Sequence, residues 1–164
     1  MLKPQKLKDQ KGFTIIEVLI VLAIAGLILL IVFLAVPALQ RNSRNTARKN
    51  DVSNILGGLS EYTNNQNGTL PASCTVGNCG TAQWLTNAKV GTIDTAQVAF
   101  TNRTTAGTVT APTALDAVSL ANFSVCDSTG TASTASNASK RSVVAVYLVE
   151  TGSGTQAQCV ASGS

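Results

Sequence analysis

From Phe13 to Leu39 the chain carries one charged side chain, Glu17, in an otherwise apolar run; from Val18 onward that run has no charged or strongly polar residue. At ~1.5 Å per residue it makes a helix of about 40 Å, more than the ~30 Å of a bilayer's hydrocarbon core, the excess being absorbed by tilt or protrusion. A helix apolar on all sides needs lipid or other apolar helices on all sides. The rest of a 164-residue chain holds too few large apolar side chains to wrap it. The segment therefore points to a membrane, or to a bundle of like helices.

Beyond Leu39 the pattern turns periodic. Val52, Ile55, Leu56, Leu59 and Tyr62 recur at helical spacing, while Asp51, Asn54, Ser60 and Glu61 fall largely on other sides. Thr63 to Gly68, rich in Asn and followed by Pro71, is a stop signal. A continuous helix from Phe13 to Asn64 would measure about 78 Å. Two places threaten its continuity. Pro37 lacks an amide hydrogen and crowds the Phe33 carbonyl, so a kink or local unwinding is expected there, and the Gly57-Gly58 pair costs about 1 kcal/mol per residue relative to Ala.

After Pro71 the chain becomes rich in Thr, Ser, Ala, Gly and Asn. Ser142 to Glu150 reads as the strongest strand, and TGSGT at Thr151 to Thr155 reads as a turn into a second strand around Gln156 to Ala161. Gln97 to Phe100 and Asn122 to Cys126 are weaker strands, Trp84 and Leu85 suit a short helix, and Asp127 to Ser139 is a low-complexity loop. The division is thus 1–12 head, 13–39 apolar helix, 40–66 amphipathic helix and 67–164 β-rich domain.

Twelve Lys and Arg face eight Asp and Glu, for a net charge of +4. Lys3, Lys6, Lys8 and Lys11 belong to the first twelve residues, so the remainder is nearly neutral and a broad basic surface for nucleic acid is not evident. Basic residues flank the apolar run on both sides, Arg41, Arg44, Arg48 and Lys49 following it, so charge asymmetry does not set orientation. The Arg41, Arg44, Arg48 series has the spacing to meet lipid phosphates or DNA; a solvated juxtamembrane face is the plainer reading.

With no His in the chain, His-based catalysis is excluded. No phosphate loop, nucleophile–base pair or two-carboxylate site is visible, so the chain reads as a non-enzyme with no cofactor. Four cysteines allow three pairings. Cys74 with Cys79 and Cys126 with Cys159 is favoured: the first closes a short loop holding Gly77, and the second ties a strand near Asn122 to the last strand. The competing reading is a four-thiolate zinc site, although the spacings are not paired CxxC knuckles. Disulfides imply an oxidising, extracytoplasmic location. Asn67, Asn102, Asn122 and Asn137 each open an N-x-Ser/Thr triplet, which a chain of this composition produces by chance.

The junction reads Lys11-Gly12-Phe13-Thr14-Ile15-Ile16-Glu17-Val18-Leu19. A short basic head, Gly-Phe, and an acid on the fifth residue after the Gly resemble the class III leader of type IV pilins and pseudopilins, over roughly residues 1 to 65. The resemblance implies an α+β pilin fold, a long N-terminal helix packed on a small C-terminal antiparallel sheet. It implies cleavage between Gly12 and Phe13 by a membrane-embedded prepilin peptidase, which also methylates the new Phe13 amine. It suggests Gly26 and Pro37 as bounds of a stretch that loses helical hydrogen bonds in a filament, and Cys126 with Cys159 as the disulfide of a C-terminal surface loop.

An ionised carboxylate inside the apolar layer costs about 2.5 to 3.5 kcal/mol even on the lenient insertion scale, so Glu17 needs a partner. A neighbouring subunit's Phe13 amine would neutralise it and set register between copies. Snorkelling to the interface, or pairing with its own Phe13 amine, is the alternative. The implied protein is a membrane-stored subunit that an assembly ATPase and a platform protein move from lipid into a homopolymer outside the cell, its head meeting host surfaces or DNA. A type II secretion or competence pseudopilin fits the same signature. A secreted domain cut after Val36-Pro37-Ala38, or an uncut membrane-anchored binding protein, is the reading from another class.

Overall fold

The computed structural model describes residues 12–105, 107–127, 133–134 and 140–162. The basic head up to Lys11, Asn137 and most of the low-complexity loop lie outside the described residues. The chain divides into two units, one ending at Leu39 and one beginning at Gln40.

Helix α1 spans Ile15–Asn65. It is assigned as helix through Gly26, Pro37 and the Gly57-Gly58 pair, so the expected local unwinding at Pro37 does not occur in the isolated chain. The absent Pro37 amide removes one bond of the ladder, and the neighbouring i to i−4 bonds carry the helix past it. In the first unit the large apolar side chains from Phe13 to Leu39 are at least 39% exposed.

In the second unit α1 buries Arg48, Asp51, Val52, Ile55, Leu56, Leu59 and Thr63, steps of three and four that place one stripe on a sheet. Helix α2 (Gln83–Thr86) is one turn, followed by a 3₁₀ turn at Thr95–Gln97. Strands β1 (Val98–Thr101), β2 (Val118–Asn122), β5 (Val143–Glu150) and β6 (Thr155–Ser162) form a sheet in the order β1-β2-β5-β6; β3 (Val125–Cys126) and β4 (Ser133–Thr134) pair separately.

The architecture is the α+β layout of a pilin fold, with one difference: the sheet is mixed. β2, β5 and β6 are antiparallel, but β1 runs parallel to β2 with Val98 opposite Val118. The segment between Thr101 and Val118 is long enough to bring the chain back to the same end of the sheet, which a parallel pair requires. The strand expected at Asn122 to Cys126 is split, because Phe123 adopts a left-handed φ of 54°. The stronger strand, Val118–Asn122, precedes that break.

β5 is buried on both faces. Val143, Ala145 and Tyr147 join Val98, Phe100, Val118 and Leu120 against Ile55 and Leu59 of α1. Val144 and Val146 face the other way, onto Ala121 and Val109, with Cys126, Ala157 and Cys159 packed around them. Trp84 of α2 meets Phe100 edge-on at 5.9 Å. Gly58 makes room for that helix, since a β-carbon there would lie 2.5 Å from the Trp84 carbonyl oxygen.

Candidate functional site

Gly12 and Phe13 immediately precede α1, and Phe13 is 88% exposed. Thr14 is the helix N-cap, its carbonyl accepting the first intrahelical bond from the Val18 amide. The Thr14 amide and hydroxyl both donate to Glu17 Oε2, at 2.9 and 2.7 Å, and the Glu17 amide donates back to Thr14 Oγ1 at 3.3 Å. This is a capping box, in which residues three apart satisfy each other's orphan amides. A negative side chain in the first turn also faces the positive end of the helix dipole. Within one chain, then, Glu17 is held by Thr14. Its Oε1 has no hydrogen-bond partner among the described residues. Phe13, Glu17, Val18, Val21 and Leu22 line one shallow, largely apolar groove beside it.

The capping box was readable as T-x-x-E before an apolar run, a signal eclipsed by the question of what an acid does in such a run. Gly26 and Pro37 lie on the exposed helix, and nothing approaches within 4 Å of where a Gly26 β-carbon would be.

The cysteines are joined as Cys74–Cys79 and Cys126–Cys159, with Cα separations of 5.3 and 5.6 Å, and no described cysteine is free. The first closes a turn beside β1, where Cys74 bridges Phe100. The second joins β3 to β6 over the outer face of the sheet.

The arginine series is not one solvated face. Arg44 and Arg48 both grip Glu150 at the end of β5, Arg44 Nε at 2.9 Å and Arg48 Nη2 at 2.8 Å, and Arg48 is 9% exposed. Asn45, between them, donates to the Glu150 carbonyl and accepts from the Glu150 amide, both at 2.8 Å. The two guanidiniums hold the Glu150 carboxyl down at about 2. One turn further on, Asp51 Oδ2 accepts from the Gly91, Thr92 and Ile93 amides and the Thr92 hydroxyl. Burial pushes the Asp51 carboxyl up, but these donors outweigh it and leave it below the usual carboxylate range.

Comparison with known proteins bears on the first unit. The family model of the prokaryotic N-terminal methylation motif matches residues 7–33, covering Lys8 and Lys11 of the basic head, the Gly12-Phe13 junction, Glu17 and most of the apolar run. The N-terminal segment of the chain is type IV pilin-like. That motif and the exposed apolar helix fit a membrane-anchored precursor, and such a leader implies processing by a prepilin peptidase. No curated protein and no solved structure matches the chain.

Proposed function

We propose that the chain is the structural subunit of a type IV pilus filament rather than an enzyme. Prepilin peptidase cuts between Gly12 and Phe13 and methylates the Phe13 amine, so that 1–12 is the leader, 13–39 the membrane and filament-core helix, 40–66 its continuation into the head, and 67–164 the extracellular domain. The observation that carries this reading is the methylation motif on a helix whose large apolar side chains from Phe13 to Leu39 are exposed among the described residues. Lipid tails and sister helices offer that helix similar surroundings, so an assembly ATPase and platform protein need supply little to move it between them.

Glu17 sets register. Its Oε2 is engaged by Thr14, while Oε1 is available to a neighbouring subunit's Phe13 amine. In the filament, Gly26 to Pro37 is the stretch where helical bonds open, since the Pro37 ring already deprives the Phe33 carbonyl of its partner. The Cys74–Cys79 and Cys126–Cys159 disulfides suit a head outside the cytoplasm.

Intact-mass and N-terminal sequencing of the protein from its native cells test this directly. A start at Phe13 with one added methyl supports the proposal; a start at Met1 or Leu39 overturns it. Deletion of the chain should abolish surface filaments, whereas intact filaments with blocked secretion or DNA uptake would assign it to a pseudopilus.

A further inference from the structure

Three basic residues, Arg103, Lys140 and Arg141, line a cleft of about 700 Å³ in the head domain together with Thr69, Ser73 and Thr104, among others, and none of the described residues that line it is acidic. The two ion pairs among the described residues are both at Glu150, so none of these cations is neutralised by a carboxylate there. Lys140 and Arg141 are exposed and their side chains make no hydrogen bond among the described residues.

The cleft is built rather than accidental. Asn122, fully buried, accepts from the Arg103 amide and donates to the Arg103 carbonyl at 3.1 Å, the Lys140 carbonyl at 3.4 Å and Asn102 Oδ1 at 3.2 Å. One interior amide therefore fixes the backbone of cations from two separate loops. Gly68, with a left-handed φ of 86°, leaves the space that the Arg141 guanidinium fills: a β-carbon there would lie 1.7 Å from Nη2. Arg103 Nη2 donates to the Thr108 carbonyl, while Nη1 is buried with no acceptor. Gathering like charges without a counter-ion is costly, and a bound anion relieves it.

We propose that this cleft binds an acidic glycan, a hydroxyl-rich chain bearing carboxylate or sulfate groups. Its volume lies in the range of small-ligand sites, room for one or two sugar rings, whereas duplex DNA is convex and too broad to enter. None of the described residues that line it is aromatic, which removes the stacking platform that single-stranded nucleic acid uses. The Thr69 and Thr104 hydroxyls are free of protein partners among the described residues and suit sugar hydroxyls. The proposal does not depend on polymerisation or on the pilin-like reading.

The test uses the full chain in detergent against immobilised heparin hexasaccharide, hexagalacturonate, maltohexaose and a short DNA duplex. Binding to an acidic hexasaccharide and not to maltohexaose is expected, weakening with salt, and reduced about tenfold or more in the Lys140→Gln, Arg141→Gln double variant. Lys89→Gln, which removes one exposed charge elsewhere, should change affinity less than twofold. The bound hexasaccharide should also shield Lys140 of the unaltered protein from amine-reactive labelling. Failure of both acidic hexasaccharides to bind, an equal loss in Lys89→Gln, or tighter binding of the duplex would overturn the proposal.

Discussion

Glu150 fastens the exit of β5 to three residues within about one turn of α1, Arg44, Asn45 and Arg48. The two arginines lower its carboxyl from an ordinary 4.5 to about 2, so the native state binds this proton less readily than the unfolded chain. The resulting stabilisation is complete above pH ~4.5 and fades as pH falls toward 2. In Glu150→Gln, the melting temperature of the full chain should be lower at neutral pH and should fall less steeply between pH 5 and 2, as read by calorimetry. Asp51 makes a separate case. Asp51→Ala would leave the Gly91, Thr92 and Ile93 amides without their acceptor, a loss of about 1–3 kcal/mol measurable by denaturant unfolding. Sequence patterning marked Asp51 only as lying off the apolar stripe and Arg44 and Arg48 only as spaced cations. Their partners lie far along the chain, at residues 91–93 and 150, and no local signal connects them. Asn122 is a similar case: it looked like the start of a chance glycosylation triplet, and its burial beneath two loops is visible only in the fold.

The apolar stripe of α1 was legible because 3.6-residue periodicity is a local property, and the β5–β6 hairpin because a continuous valine-rich run ends in a glycine turn. β2 was not, since Val118-Ser119-Leu120-Ala121-Asn122 has little β-branched character and owes its place to neighbours on both sides. Its parallel partner is harder still to foresee, because chain direction depends on the path between Thr101 and Val118. The Gly57-Gly58 pair shows the same gap between local preference and packing. Helix propensity alone favours Ala at both sites by about 1 kcal/mol. Nothing lies near a Gly57 β-carbon, so Gly57→Ala should stabilise by up to that amount. At Gly58 the β-carbon would strike backbone of α2, and Gly58→Ala should instead destabilise by about 1–3 kcal/mol. Opposite signs in urea unfolding of the two variants would check that α2 sits where the structure has it. Between the disulfides, the longer loop should matter more: Cys126→Ser with Cys159→Ser should cost about 3–4 kcal/mol, and the Cys74, Cys79 pair about 2, on the chain-entropy account.

The two units differ in what they bury. Up to Leu39 the large apolar side chains are exposed among the described residues, as suits a helix that takes its cover from lipid, detergent or other copies; from Gln40 onward the chain encloses its own core on both faces of β5. Arg44, Asn45 and Arg48 lie just inside the second unit, so a cut before Gln40 keeps the clamp on Glu150. The core-lining stripe Val52, Ile55, Leu56 and Leu59 also survives intact. A chain beginning at Gln40 should therefore be soluble without detergent, form both disulfides and unfold in one cooperative transition, while the full chain should need detergent to stay dispersed. Sedimentation of the two forms, with calorimetry of the shorter, checks this. A truncated head that aggregates, or that melts without cooperativity, would mean that the first unit supplies contacts the head needs, and the separation of an anchoring rod from a self-sufficient head would fail.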